Sequence, residues 1–349
     1  MAVARPVNVA VVGATGAVGK AMLETLERRK FPLASLKPLA SSRSAGSAVS
    51  VWGRAYTVEE ATPESFDGVD VALFSAGGDV SLRLAPEAVR RGALVIDNTS
   101  AFRMDDGVPL VVPEVNPEEI FRHRGIIANP NCSTIQMVVA LYPIYRRFGI
   151  RRIVVSTYQA ASGAGERAIA ELRVTTEAYL RGEPLRPEIM PVAKLDRHYP
   201  LAFNVLPQID VFEENGFTRE EMKMVNETRK IFADKRIAVT ATAVRVPVFY
   251  GHSEAVYVET EQPFGREEIM DLLHSAPGVA VEDDPARQHY PHALRAQGEF
   301  DVFVGRVRKD LTVDNGLLMW VVADNILKGA AWNAVQIAEV WLEREGIRR

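Results

Sequence analysis

One cysteine, Cys132, is the only thiol in this chain of 349 residues, so no intramolecular disulfide can form and a reducing cytoplasm is the expected setting. No apolar run approaches the ~20 residues that a membrane-spanning helix needs. No basic segment followed by an apolar export core opens the chain. Basic excess is missing as well: 41 Lys and Arg against 45 Asp and Glu leave a net charge of −4, with no broad attraction for nucleic acid or an anionic membrane. Internal repeats, low-complexity tracts and a Pro/Gly-rich linker are also lacking, and no metal site is expected. What is present is a globular composition, 47% hydrophobic and 25% charged, in a chain long enough for two domains. The partners to expect are small molecules or another copy of the chain.

The first 130 or so positions alternate between strand-like and helix-like segments. Val7 to Val12, Leu36 to Ala40, Val69 to Ser75 and Ala93 to Asp97 read as strands, and Val18 to Arg29 and Ser81 to Arg91 as helices. Such alternation predicts a parallel sheet wrapped by helices, a Rossmann-like α/β domain. From about Arg151 the character changes. Ile153 to Gln159, Ile237 to Val246, Ser253 to Glu259 and Phe300 to Lys309 have strand composition, and Gly165 to Arg181 and Arg219 to Phe232 read as helices. An α+β domain with a large mixed sheet is expected there. Arg181 to Tyr199, rich in Pro and charge, reads as an excursion or a dimer-contact loop. Leu318 to Glu343 reads as one long apolar-patterned helix that closes the second domain or folds back on the first.

Chemistry concentrates at the thiol. Cys132 lies in Asn129-Pro-Asn-Cys-Ser-Thr134, between the apolar run Gly125 to Ala128 and a helix-like stretch, Ile135 to Tyr145. A helix opening near Ser133 or Thr134 places the sulfur at its N-terminus, where unpaired N–H groups favour thiolate over thiol. Cys132 is therefore a candidate nucleophile.

A second motif opens the chain. Gly13-Ala-Thr-Gly16-Ala-Val-Gly19 follows a strand and leads into a helix, the setting in which backbone N–H groups hold a pyrophosphate. Its spacing, G-x-x-G-x-x-G, is looser than the strict dinucleotide form. After the second strand an NAD site would place a carboxylate for the ribose hydroxyls, but Ala40 to Gly46 contains no acid and carries Arg43. That points to the 2′-phosphate of NADP.

These two motifs, with Ser156-Thr-Tyr-Gln159-Ala-Ala-Ser-Gly163 and Arg245-Val-Pro-Val-Phe-Tyr-Gly-His252-Ser, make the chain closely resemble the bacterial aspartate-semialdehyde dehydrogenases over nearly its whole length. The resemblance implies a nucleotide domain of residues 1–131 plus 324–349 and a catalytic and dimerisation domain of 132–323, assembled as a cytoplasmic homodimer. It implies NADPH-dependent conversion of L-4-aspartyl phosphate to the semialdehyde and phosphate through a thioester on Cys132, feeding lysine, diaminopimelate, methionine, threonine and isoleucine synthesis. By the same likeness His252 is the acid/base and Gln159 orients the substrate. Arg245 then takes the substrate carboxylate, Glu220 its amino group, and Arg103, Lys223 and Asn131 the phosphate. Thr15, Gly16, Ala17 and Val18, with Gly13, Arg43, Ser44, Ser162, Gly163 and Asn325, are the implied cofactor contacts. The nearest alternative is an N-acetyl-γ-glutamyl-phosphate reductase, whose cysteine neighbourhood resembles Asn-Pro-Gly-Cys rather than Asn-Pro-Asn-Cys. A nucleotide-sensing module would need Cys132 or His252 to be missing.

Overall fold

Residues 5–348 are described by a computed structural model. The chain divides into two compact units, Met1–Asn131 with Ala330–Arg349, and Cys132–Gly329.

In the first unit the strands are β1 (Val7–Val12), β2 (Leu33–Ala40), β3 (Ala48–Val51), β4 (Arg54–Thr57), β5 (Glu59–Glu60), β6 (Val71–Phe74), β7 (Leu94–Asp97) and β8 (Ile126–Ala128). Six of them make one sheet in the order β5-β2-β1-β6-β7-β8, parallel throughout, while β3 and β4 pair as a separate antiparallel hairpin. All of β6 and β7 and nearly all of β1 are buried, as a sheet covered on both faces requires. Helix α1 (Ala17–Arg28) buries Ala21, Met22, Leu23 and Leu26, and α2 (Gly78–Arg90) buries Ser81, Leu84, Ala85 and Ala88, at the spacing of one helical stripe. The helix Trp332–Arg348 joins this unit. Arg29 pairs with Glu339 at 3.1 Å and its guanidinium lies 4.5 Å from the Trp332 ring centroid, and Asn333 Nδ2 donates to Asn129 Oδ1 at 2.7 Å.

The second unit is built on β9 (Ile150–Gln159), β10 (Ala238–Arg245), β11 (His252–Thr260), β12 (Val279–Val281), β13 (Val302–Lys309) and β14 (Gly316–Ala323). They form a mixed sheet in the order β10-β9-β11-β14-β13-β12. Helix α3 (Cys132–Phe148) lies against β11 and β14; it is apolar on most of its circumference and correspondingly buried. Helices α4 (Glu166–Leu180), α5 (Arg219–Ile231) and α6 (Arg266–Ser275) complete the unit's longer helices. Residues 183–199 carry neither helix nor strand.

One element departs from the sequence reading. Leu318 to Glu343 is not a single helix: Gly316–Ala323 is a strand paired on both sides, and only after it does a π-helical turn, Leu327–Ala331, lead into the α-helix Trp332–Arg348. A short, wholly apolar run lacks the alternation that separates strand from helix, and here its partners β11 and β13 decide. The return to the first unit correspondingly comes at Ala330 rather than at 324. Asp324 and Asn325 bond to the second unit instead: Asp324 Oδ2 accepts the Gly298 N–H at 2.8 Å, and Asn325 Oδ1 that of Gly251 at 2.9 Å.

Candidate active site

Strand register gathers the polar residues of the second unit. In the parallel pair β9/β10, Gln159 stands directly opposite Arg245, and in the antiparallel pair β9/β11, Ser253 faces Tyr158. The last residues of β9 and β10 and the first of β11 thus share one end of the sheet. Gln159, Arg245 and His252 all lie there, and all are buried.

The turn that follows β9 supplies their anchors. Ala160 accepts a hydrogen bond from Arg245 Nη1 at 2.7 Å through its carbonyl, and donates its N–H to His252 Nδ1 at 3.0 Å. An imidazole nitrogen that accepts carries no proton, so neutral His252 holds its proton on Nε2. Burial, with the Arg245 charge adding to it, depresses the imidazole to about 3, so the ring is neutral at physiological pH. Arg245 is shifted down by the same burial, opposed by Glu220 and Cys132. Its Nε has no partner, and neither has His252 Nε2. Both are buried donors turned away from the rest of the protein's hydrogen bonding, the condition of a site made for a ligand.

Gly163 separates them. A Cβ added there would stand 3.0 Å from Arg245 Nη1 and 3.3 Å from His252 Nε2. Next to it, Ser162 Oγ accepts from Asn325 Nδ2 at 2.9 Å, while Asn325 Oδ1 holds the Gly251 N–H. The expected cofactor residue Asn325 therefore ties the Ser162 turn to the residue preceding His252.

Glu220 reaches the same place from α5. The helix starts at a capping box in which Thr218 and Glu221 exchange hydrogen bonds at 3.3 and 2.7 Å. Glu221 Oε1 also accepts the Ala243 N–H at 2.9 Å, which pins the first turn to β10 two residues before Arg245. Glu220 Oε1 then accepts from Gln159 Nε2 at 3.2 Å, and Lys223 Nζ lies 3.1 Å from Glu220 and 3.2 Å from Asp210. Spacing alone leaves Glu-Glu-x-Lys indistinguishable from a solvated helix face; the capping box and the Ala243 bond turn it inward.

Cys132 is the first residue of α3, slightly earlier than expected, and it is partly accessible. A thiol at that position sits in the positive end of the helix dipole, which favours thiolate. Gly329 packs on it so closely that an added Cβ would come within 2.7 Å of Cys132 Cβ. Asp210 and Gly329 have no role in the sequence reading, because each acquires its neighbour only through the fold.

The first unit holds the remaining candidates. Gly13 adopts φ +88, and a Cβ there would meet the Ser75 carbonyl oxygen at 2.6 Å, so only glycine fits the turn. Helix α1 then begins after Gly16 with no side-chain cap and no acid in its first turn, leaving the N–H groups around Thr15, Ala17 and Val18 suited to a pyrophosphate. Arg43 is exposed and Ser44 half-buried in the turn that follows β2. Pairing of β2 with β5 does bring Glu59 and Glu60 beside Leu39 and Ala40, carboxylates hidden from the sequence argument by their distance along the chain. Arg103 donates to the carbonyls of Asn129 and Asn98, both at 2.9 Å, and so braces the Asn129-Pro-Asn131 segment, where Asn131 is buried. Among the described residues, no cluster of His, Cys, Asp and Glu could hold a metal ion, and no helix is long and apolar enough to cross a membrane.

Residues 8–123 match the model of the semialdehyde dehydrogenase NAD binding domain, and 141–328 that of the semialdehyde dehydrogenase dimerisation domain. The chain belongs to the semialdehyde dehydrogenase family. Aspartate-semialdehyde dehydrogenase of Bacillus subtilis is 59% identical over 336 residues, 96% of this chain and 97% of that protein. The Aquifex aeolicus protein of the same name is 56% identical over 343 residues, 97% of this chain and 99% of that one. Aspartate semialdehyde dehydrogenase II of Vibrio cholerae, crystallised in complex with ASA, superposes with a TM-score of 0.93 at 51% identity, covering 97% of this chain and 99% of that one. A Candida albicans aspartate semialdehyde dehydrogenase solved with NADP gives a TM-score of 0.74 at 25% identity, with 96% and 98% covered. As a semialdehyde dehydrogenase, the chain has the expected pairing of a parallel-sheet nucleotide domain with a mixed-sheet dimerisation domain.

Proposed function

We propose that the protein is an aspartate-semialdehyde dehydrogenase that reduces L-4-aspartyl phosphate to L-aspartate 4-semialdehyde with NADPH and releases phosphate. The observation that carries this reading is the set of buried, mutually anchored side chains of Gln159, Arg245, His252 and Glu220 in the unit headed by the thiol of Cys132.

Cys132 Sγ attacks the acyl carbon, the bond from that carbon to the phosphate oxygen breaks, and its electron pair leaves with phosphate, giving a thioester. Gly13 to Val18 would hold the pyrophosphate of NADPH and Arg43 and Ser44 its 2′-phosphate, with Ser162, Gly163 and Asn325 as further cofactor contacts; the cofactor would supply a hydride to the thioester carbon. A thiolate that attacks readily also departs readily, so the carbon–sulfur bond breaks to free the aldehyde. His252 holds a proton at Nε2 throughout the resting state, and presents it as a donor to the thiolate or to the developing oxyanion. Arg245 has one nitrogen on the Ala160 carbonyl and its remaining N–H groups for the substrate carboxylate, for which a planar fork is suited. Glu220 faces the amino group, Gln159 orients the acyl group, and Arg103, Lys223 and Asn131 take the phosphate.

A cytoplasmic homodimer is part of the same reading. The Tyr179 and Phe203 rings lie tilted at 35° with centroids 4.5 Å apart yet are 53% and 59% exposed, and Leu180, Val205 and Phe212 are exposed in the same unit, apolar surface that a second copy would cover. The deciding experiment is phosphate-dependent reduction of NADP⁺ by aspartate semialdehyde, followed by the mass of the acyl-enzyme. Folded protein without turnover, or acyl mass away from Cys132, refutes the proposal.

A further inference from the structure

Beneath the candidate site lie two wholly buried polar side chains that the reaction does not use, Gln136 and Glu254. Gln136 is one turn along α3 from Cys132, on the same face of the helix. Glu254 is two residues along β11 from His252, on the same face of the strand. Gln136 Nε2 donates to the His252 carbonyl at 3.4 Å. The Gln136 Oε1 has no hydrogen-bond partner, and neither Glu254 oxygen has one.

The Gln136 side chain lies close enough to act on the Glu254 carboxyl, and each of the two unsatisfied groups supplies what the other lacks. A carboxamide oxygen can only accept, so a bond between them requires Glu254 to donate. A protonated carboxyl does that, whereas an unpaired ionised carboxylate at this depth would be very costly. Burial drives the Glu254 carboxyl well above the usual carboxylate range, outweighing the opposing effect of the Gln136 side chain beside it.

Resting on the roles given above to Cys132 and His252, we propose that Glu254 and Gln136 are a buried positioning pair. Glu254 donates to Gln136 Oε1, Gln136 donates to the His252 carbonyl, and the helix carrying the nucleophile is thereby tied to the strand carrying the imidazole. The bond from Gln136 acts on the backbone of His252, and the one from Ala160 acts on its ring, so together they fix both the height and the rotation of the imidazole. Removing the pair leaves the substrate-binding groups Arg245 and Glu220 where they are and disturbs the alignment of sulfur and ring.

The test compares Gln136→Met, Glu254→Met and Glu254→Gln in the full-length protein, with Cys132→Ser beside them. Gln136→Met keeps the volume without polar atoms and should lower kcat at least about tenfold, with KM for the semialdehyde changed by no more than about twofold. Glu254→Met should do the same. Glu254→Gln, whose amide still donates to Oε1, should return kcat to within about threefold of the parent. Gln136→Met with unchanged kcat, or Glu254→Gln as impaired as Glu254→Met, overturns the proposal. If Glu254→Met does not fold, Gln136→Met decides alone. Turnover surviving in Cys132→Ser would overturn the nucleophile and this inference with it. An inactive Cys132→Ser beside an unaffected Gln136→Met overturns the inference only.

Discussion

Adding one methyl group at Gly163 is the sharpest probe of the site. Gly163 has no left-handed backbone angle, so alanine is conformationally acceptable there; the constraint is space. The new Cβ would lie 3.0 Å from Arg245 Nη1 and 3.3 Å from His252 Nε2, tighter than ordinary packing allows. Neither neighbour can simply withdraw, because Nη1 is held 2.7 Å from the Ala160 carbonyl and Nδ1 is 3.0 Å from the Ala160 N–H. Relieving the contact therefore shifts two groups at once by a few tenths of an ångström. Overpacking of this kind costs about 1–3 kcal/mol, partly offset by about 0.4–1 kcal/mol from the stiffer unfolded chain, so Gly163→Ala should still fold. Activity is the more sensitive quantity, since a misplacement of about 1 Å can cost on the order of a hundredfold. We expect kcat/KM for the semialdehyde to fall about 10- to 100-fold, measured as phosphate-dependent NADP⁺ reduction, with thermal unfolding followed in parallel. A folded Gly163→Ala variant with kcat/KM within about twofold of the parent would refute the geometry argued for Arg245 and His252.

Arg245→Lys should raise KM for the semialdehyde about 10- to 100-fold, because a single ammonium cannot serve both the Ala160 carbonyl and a carboxylate; an unchanged KM would move the carboxylate site elsewhere. Arg43→Ala should raise KM for NADPH about tenfold and leave KM for NADH nearly unchanged, whereas equal effects would remove the 2′-phosphate assignment and leave the nearby Glu59 and Glu60 as the groups to examine. Acid sensitivity should be traceable to His252: depressed from 6.5 to about 3 in the folded state, it stays neutral while the unfolded chain takes up a proton, so its contribution is fully present above 6.5 and is lost as pH falls toward 3. Denaturant unfolding of His252→Gln against the parent at several pH values in that window checks this, and parallel pH dependences would contradict it.

Much of the candidate site's local setting was legible in the sequence because it depends on short stretches of chain. Cys132 follows an apolar strand and heads a helix, and the glycine turn after β1 needs only its own backbone to form a cradle, so short-range pattern suffices for both. The alternation of the first half likewise encodes a parallel sheet, since each strand–helix step must cross over before the next strand can pair. Leu318 to Ala323 escaped that logic: an unbroken apolar run reads equally as helix or strand until the strands beside it are known.

Amino-acid order alone determined that Cys132 stands at a helix start, that a glycine turn joins the first strand to the first helix, the two-part fold class and, through several separated motifs, the family. The tertiary structure decided what those residues touch. Register brought Gln159 opposite Arg245 and set His252 at the same sheet end, the backbone of Ala160 selected which imidazole nitrogen bears the proton, and packing left Gln136 and Glu254 wholly buried. Such contacts join residues far apart along the chain, and their energies depend on burial and on angles that exist only once the strands have paired.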